Sequence, residues 1–175
     1  MKSVLAIAAL GAATLAGPLA AQHEQHTASP YAGREKSGIA ALTPQQLEEL
    51  KAGAGMGFAL PAELNHYPGP RHALEMADSL GLSPAQRLAL EALRSTMSVE
   101  AVSLGEQIIE AERQLDQRFA HAHIDAAVLR EATDRIAGLY GRLRYIHLAA
   151  HIETRALLTP EQVAAYDRLR GYTSG

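Results

Sequence analysis

The chain has 175 residues, 47% hydrophobic and 20% charged, with 16 Lys and Arg against 19 Asp and Glu for a formal charge of -3, and it contains neither Cys nor Trp. The missing Cys excludes a disulfide scaffold, iron–sulfur clusters, c-type haem, Cys-based zinc sites and thiol nucleophiles. Mild acidity with no basic run argues against nucleic acid as the partner, because phosphate binding needs clustered Lys and Arg.

Residues 1–21 have the layout of a secretory signal peptide. Lys2 supplies the positive start, Val4 to Leu19 form an apolar run interrupted by Pro18, and Ala20-Ala21 offers small residues for cleavage. The run is too short and broken for a membrane anchor, so the mature chain is expected to be exported, keeping 15 basic residues against 19 acidic ones once Lys2 is removed. Residues 22–41 read as a flexible polar arm: Gln22 to Gly38 shows no hydrophobic period and carries His23 and His26, which could recruit metal weakly.

One short pattern then recurs three times, as Leu42-Thr43-Pro44-Gln45-Gln46, Leu82-Ser83-Pro84-Ala85-Gln86 and Leu158-Thr159-Pro160-Glu161-Gln162. Each reads as a helix entry with a hydroxyl cap, Pro at the first helical position and Gln placed to close a capping box. Residues 42–69 are therefore a short helix followed by a Gly/Pro-rich connector from Ala52. Gly53, Gly55 and Gly57 do not make a phosphate loop, since they follow a helix and lack a Lys-Ser/Thr ending.

Residues 70–172 hold the main helical domain. A short helix is predicted from Arg71 to Leu80, stopped by Gly81. A long helix runs from Pro84 to about Ala120, a second from an Asp125 cap to about Leu157, and a last short one from Pro160 to about Arg170, ended by Gly171. No segment alternates with period two, so strands are not expected.

Apolar residues on the second long helix, from Leu129 through Ile136, Leu139, Leu143 and Ile146 to Leu157, form one stripe at helical spacing. Leu93, Met97, Leu104, Ile108, Ala111 and Leu115 do the same on the first. The predicted fold is all-α, a long antiparallel hairpin closed around His121 to Ile124 with short flanking helices. Leu88, Val99, Val102 and Ile109 form a surplus apolar face on the first long helix. That face has to meet the short helices, a second subunit or a client, and a homodimer is expected. With Arg94 and Arg113 it is the candidate client surface, Arg87 lying nearby. Glu100 falls within the core stripe, as a paired buried carboxylate, a ligand, or a sign that the stripe is drawn too wide.

His147 and His151 stand four apart on one helix face, within reach of one ion. His72, Glu75 and Met76 on the first short helix complete a candidate metal set for Zn, Ni, Co or Cu. The competing reading makes His147 a buried core histidine and His151 a surface one. His121 and His123 are either solvated loop residues or a weak pair. No nucleophile motif or two-carboxylate arrangement stands out, so an enzyme is not expected.

The framing motifs at Leu82 and Leu158, the long hairpin between them and the closing Tyr166-Asp167-Arg168 resemble the periplasmic LTxxQ group. That group holds the Spy- and CpxP-like chaperones and the ZraP- and CnrX-like metal-binding proteins. The resemblance covers about Pro70 to Tyr172; the connector before it looks like an added feature of one exported subgroup. It implies a four-helix fold, usually a curved antiparallel dimer, in the periplasm and without enzymatic activity. Some members hold partly unfolded envelope proteins without ATP; others bind a transition metal and report to a membrane sensor. The sensor members place His-x-x-x-His on the first helix and His-x-x-x-Met on the third, where this chain has His72-x-x-x-Met76 and His151 followed by Arg155.

Overall fold

The computed structural model describes residues 28–172. The expected signal peptide, His23 and His26 lie outside them. The chain divides into two units, Met1–Ala32 and Gly33–Gly175. Of the first, the described part is a turn in which the Ala32 N–H donates to the Ser29 carbonyl at 2.9 Å.

The second unit carries six α-helices and no strand among the described residues: α1 Pro44–Lys51, α2 Leu60–Glu63, α3 Pro70–Glu75, α4 Pro84–Ala120, α5 Ala126–Leu157 and α6 Pro160–Arg170. The all-α reading and the hairpin of α4 on α5 hold, with the bend at His121 and Asp125 as the cap of α5, its carboxylate accepting from Ala127 and Val128 N–H. Two details differ. The first short helix stops at Glu75 and continues to Gly81 as turns. The connector, read as irregular, folds one helical turn of its own, α2. The segment from Gly33, expected as part of an arm, belongs to the compact unit: a 3-10 turn at Arg34–Lys36 leads Ile39 and Leu42 onto the core.

All three recurring motifs form complete capping boxes on α1, α4 and α6, each satisfying two N–H groups that a helix start leaves open. Two of them also meet. The Gln86 side-chain amide donates to Gln162 Oε1 at 2.8 Å, and the Gln162 amide returns the bond to Gln86 Oε1 at 3.1 Å. Each amide also caps a carbonyl at another element's end, Gln86 that of Leu157 at 2.8 Å and Gln162 that of Leu80 at 3.3 Å. The motif leucines, Leu82 and Leu158, are buried beside them with Leu80, Leu90, Val163 and Tyr166. The pattern thus pins the start of α4 to the start of α6. Gln86→Ala removes a cap and three partly buried bonds, with an expected cost of about 2–3 kcal/mol. Combined with Gln162→Ala in a double-mutant cycle, urea unfolding should show a coupling of about 1 kcal/mol; additive losses would mean the two amides act separately.

A second core fills the middle of the hairpin. Ala101, Leu104, Ile108 and Ala111 of α4 meet Leu139 and Leu143 of α5, and Leu42 and Leu50 close it from the α1 side. Much of the surplus face of α4 is therefore covered by the chain itself: Val102 touches the Gly53 turn and Ile109 packs on this core. Close approach is possible because Gly105 of α4 has no side chain; a Cβ there would lie 2.0 Å from the Leu50 carbonyl oxygen.

Candidate functional site

The connector lays a polar seam along the C-terminal part of α5 and onto α6. Its centre is Glu63, at the end of α2 and buried. Glu63 Oε1 accepts from the Tyr166 hydroxyl at 2.5 Å, the Tyr172 hydroxyl at 3.1 Å and Arg170 Nε at 3.2 Å. Burial, with the bond to this carboxylate second, pushes the Tyr166 phenol far above its ordinary range, so Tyr166 stays a neutral donor. Three residues after Glu63, His66 Nδ1 donates to Asp167 Oδ2 at 2.8 Å. The His66 carbonyl accepts from Arg155 at 2.5 Å, and the Arg155 guanidinium lies 4.9 Å from the Tyr67 ring centre. These contacts hold His66 at a left-handed φ of 65°, a conformation that costs a non-glycine residue about 1–2 kcal/mol.

The two helix histidines lie under this seam. His151 Nδ1 donates to the Tyr67 carbonyl at 2.7 Å and stands 3.7 Å from Glu63 Oε2. Its ring fits because residue 69 is glycine: a Cβ there would come within 2.9 Å of it. His147 is buried beneath Gly55, and its Nε2 has no hydrogen-bond partner among the described residues. Burial, then the neighbouring His151, holds the His147 pKa below the ordinary value of 6.5.

This shift has a definite sign. The unfolded chain takes up the proton near 6.5 while the folded chain refuses it, so stability is lost as pH falls from 6.5 towards the lower folded pKa. Thermal unfolding midpoints should fall more steeply between pH 7.5 and 5.5 in the native protein than in His147→Leu. Equal slopes would mean that His147 takes up its proton in the folded state as readily as in the unfolded one.

The remaining candidate ligands are placed elsewhere. His72 Nδ1 and Arg71 Nε each donate to Glu75, at 2.8 Å, and these bonds hold the Glu75 carboxyl below its usual range. Met76 packs with the core around Tyr166. Arg155 is spent on the connector. Among the described residues no three His, Asp or Glu side chains gather around one ion position. His147, His151 and one Glu63 oxygen lie near one another on the seam without forming such a group. His121 and His123 are exposed at the bend with ring centres 6.3 Å apart.

On another side of the hairpin, no described helix covers α4 and α5. A groove of about 630 Å³ runs between them, lined by Leu93, Met97 and Glu100 from α4 and by Tyr145, Ala149 and Glu153 from α5, among others. It shares Glu100, Tyr145 and Ile146 with a further hollow of about 420 Å³ reaching Val99 and Arg142. Leu93 and Met97, expected in the core stripe, are only half-buried on this groove, and Glu100 is exposed; the stripe was drawn too wide. Small side chains on both helices, such as Ala92 and Ala149, leave the hollow, and Tyr145 stands 69% exposed at its edge.

The candidate client residues differ in exposure along α4. Leu88 and Val99 are each 69% exposed and Arg94 is exposed beside Glu91 and Val99, whereas Val102 and Ile109 are half-covered. Arg113 is bound to Glu110 at 2.6 Å and Arg87 to Asp78 at 2.7 Å. Sequence reasoning missed Glu63 as the hub of the seam, and Tyr145 with Ala149 as the far wall of the groove. A lone acid in a Pro/Gly-rich connector, with three hydroxyl and guanidinium donors waiting in the last turns of the chain, was the available signal for Glu63.

No helix of the described residues is long and apolar enough to cross a membrane. No curated protein and no solved structure matches the chain. A family model described as LTXXQ motif family protein matches residues 70–170, from the first residue of α3 to the last of α6. The two motifs that hold each other through Gln86 and Gln162 both lie within that match, and the chain belongs to the LTXXQ motif family, which includes the Spy- and CpxP-like proteins.

Proposed function

We propose that the protein is a periplasmic, Spy- and CpxP-like holding chaperone that binds exposed apolar segments of partly unfolded envelope proteins in the α4–α5 groove, without nucleotide. The observation that carries this reading is the apolar groove between α4 and α5 that no described helix covers. Hollows of this size bounded by half-buried Leu and Met and an exposed Tyr side chain bind apolar groups weakly and broadly. The glycines of the connector fit a packing role, Gly53 against the α4 backbone and Gly55 against His147.

The test is suppression of light scattering by a chemically denatured, aggregation-prone protein. Met97→Asp with Ala149→Asp should reduce suppression about tenfold in required concentration, with the helical circular dichroism unchanged. Full suppression by this variant would overturn the assignment of the groove. The metal-binding alternative rests on His147 Nε2 and Glu63 Oε2, two of the three buried seam atoms without a partner among the described residues. It requires the connector to shift so that a third donor joins His147 and His151. Saturable uptake of Zn, Ni, Co or Cu(II), lost in His147→Ala/His151→Ala, would favour it over the chaperone reading.

A further inference from the structure

We propose that the α4–α5 groove selects segments that are both apolar and cationic, with Lys or Arg interleaved among large aliphatic residues; this rests on the client-holding reading and names its substrate class. The charged side chains lining the wide part of the groove are Glu100 on one wall and Glu153 on the other. Neither makes an ion pair among the described residues, and both are exposed. The arginines are turned to other tasks. Arg87 binds Asp78, Arg113 binds Glu110, and Arg155 holds the connector. Arg94 lies in a separate depression with Glu91, and Arg142 stands at the far end, beyond Tyr145.

Two carboxylates on opposite walls of one apolar floor, with the nearest lining cation, Arg142, in the hollow beyond Glu100, make a local negative potential that the net charge of -3 does nothing to offset. A bound Leu, Ile or Val would enter the space left by the alanines. A neighbouring Lys or Arg could lay its stem along Met97 or the exposed Tyr145 ring while its charge meets Glu100 or Glu153. A segment with Asp or Glu at those positions would set like charges together and be turned away.

Two labelled amphipathic peptides with the same apolar residues, one carrying Lys and the other Glu at its polar positions, test this by fluorescence anisotropy with the full mature chain. The Lys peptide should bind about five- to tenfold more tightly. The gap should shrink with added salt, close in Glu100→Gln/Glu153→Gln and reverse in Glu100→Lys/Glu153→Lys. Equal binding of both peptides, or a gap untouched by the Lys variant, overturns the charge selection and leaves client holding in place. Binding of neither peptide, together with no suppression of aggregation, removes both. Peptide affinity that falls as protein concentration rises, with a dimer in sedimentation that Met97→Asp dissociates, assigns the groove to a second copy of the chain and overturns the proposal.

Discussion

Gly105→Val is expected to lower the unfolding free energy by about 3 kcal/mol or more, and Gly105→Ala by about 2, although propensity alone predicts the opposite. Gly in the middle of a 37-residue helix costs about 0.8–1 kcal/mol relative to Ala, so an alanine there would ordinarily stabilise. The contact reverses the sign. A Cβ on residue 105 would lie 2.0 Å from the Leu50 carbonyl oxygen and 2.7 Å from its carbon. These are backbone atoms of α1, so no rotamer change relieves the clash and α1 has to lift. Lifting uncovers Leu42 and Leu50, each buried, and a buried Leu is worth about 1.5–3 kcal/mol. Gly138 and Gly141 on α5 are the control: a Cβ at either meets nothing within 4 Å, so Gly138→Ala and Gly141→Ala should stabilise by about 0.5–1 kcal/mol. Urea unfolding of the four variants decides it. A stabilising Gly105→Ala would mean that α1 does not sit on α4 in solution.

The same contrast shows what could be read from the residues alone. Helix starts were legible because capping is local: Ser83, Thr159 and Asp125 sit within three residues of the N–H groups they serve, and the α4, α5 and α6 boundaries follow. What α4 rests on was not legible. Val102, Ile109 and Gly105 say only that this face is apolar and thin, and Leu50 reaches it across more than fifty residues of chain. The candidate metal set shows the same limit. The spacing of His147 and His151 correctly places them side by side, while their partners, the Tyr67 carbonyl, Glu63 and Gly55, come from a connector with no period to orient it. The charge state of the candidate client surface was hidden for a related reason, because Arg113 pairs with Glu110 one turn away on its own helix.

Glu63→Ala should cost about 3–5 kcal/mol, the range for removing one side of a buried charged network. The carboxylate takes three donors on one oxygen, from Tyr166, Tyr172 and Arg170. Without it the guanidinium and both phenols lose their common acceptor. Glu63→Gln keeps an acceptor at Oε1 and should lose only about 1–2 kcal/mol, and Tyr166→Phe should couple to Glu63→Ala in a double-mutant cycle. Calorimetric unfolding with equal losses for Glu63→Ala and Glu63→Gln would rule out the hub. The consequence reaches beyond stability. The buried side-chain atoms without a partner among the described residues are Glu63 Oε2, Asp167 Oδ1 and His147 Nε2, all on this seam. Unpaired buried polar atoms are costly, so the connector is held on α5 and α6 against that cost by a few strong bonds, chiefly those to Glu63 Oε1. Removing them should therefore release the connector before the hairpin unfolds, and hydrogen exchange in Glu63→Ala should accelerate from Gly53 to Gly69 while the α4–α5 core around Ile108 and Leu143 stays protected.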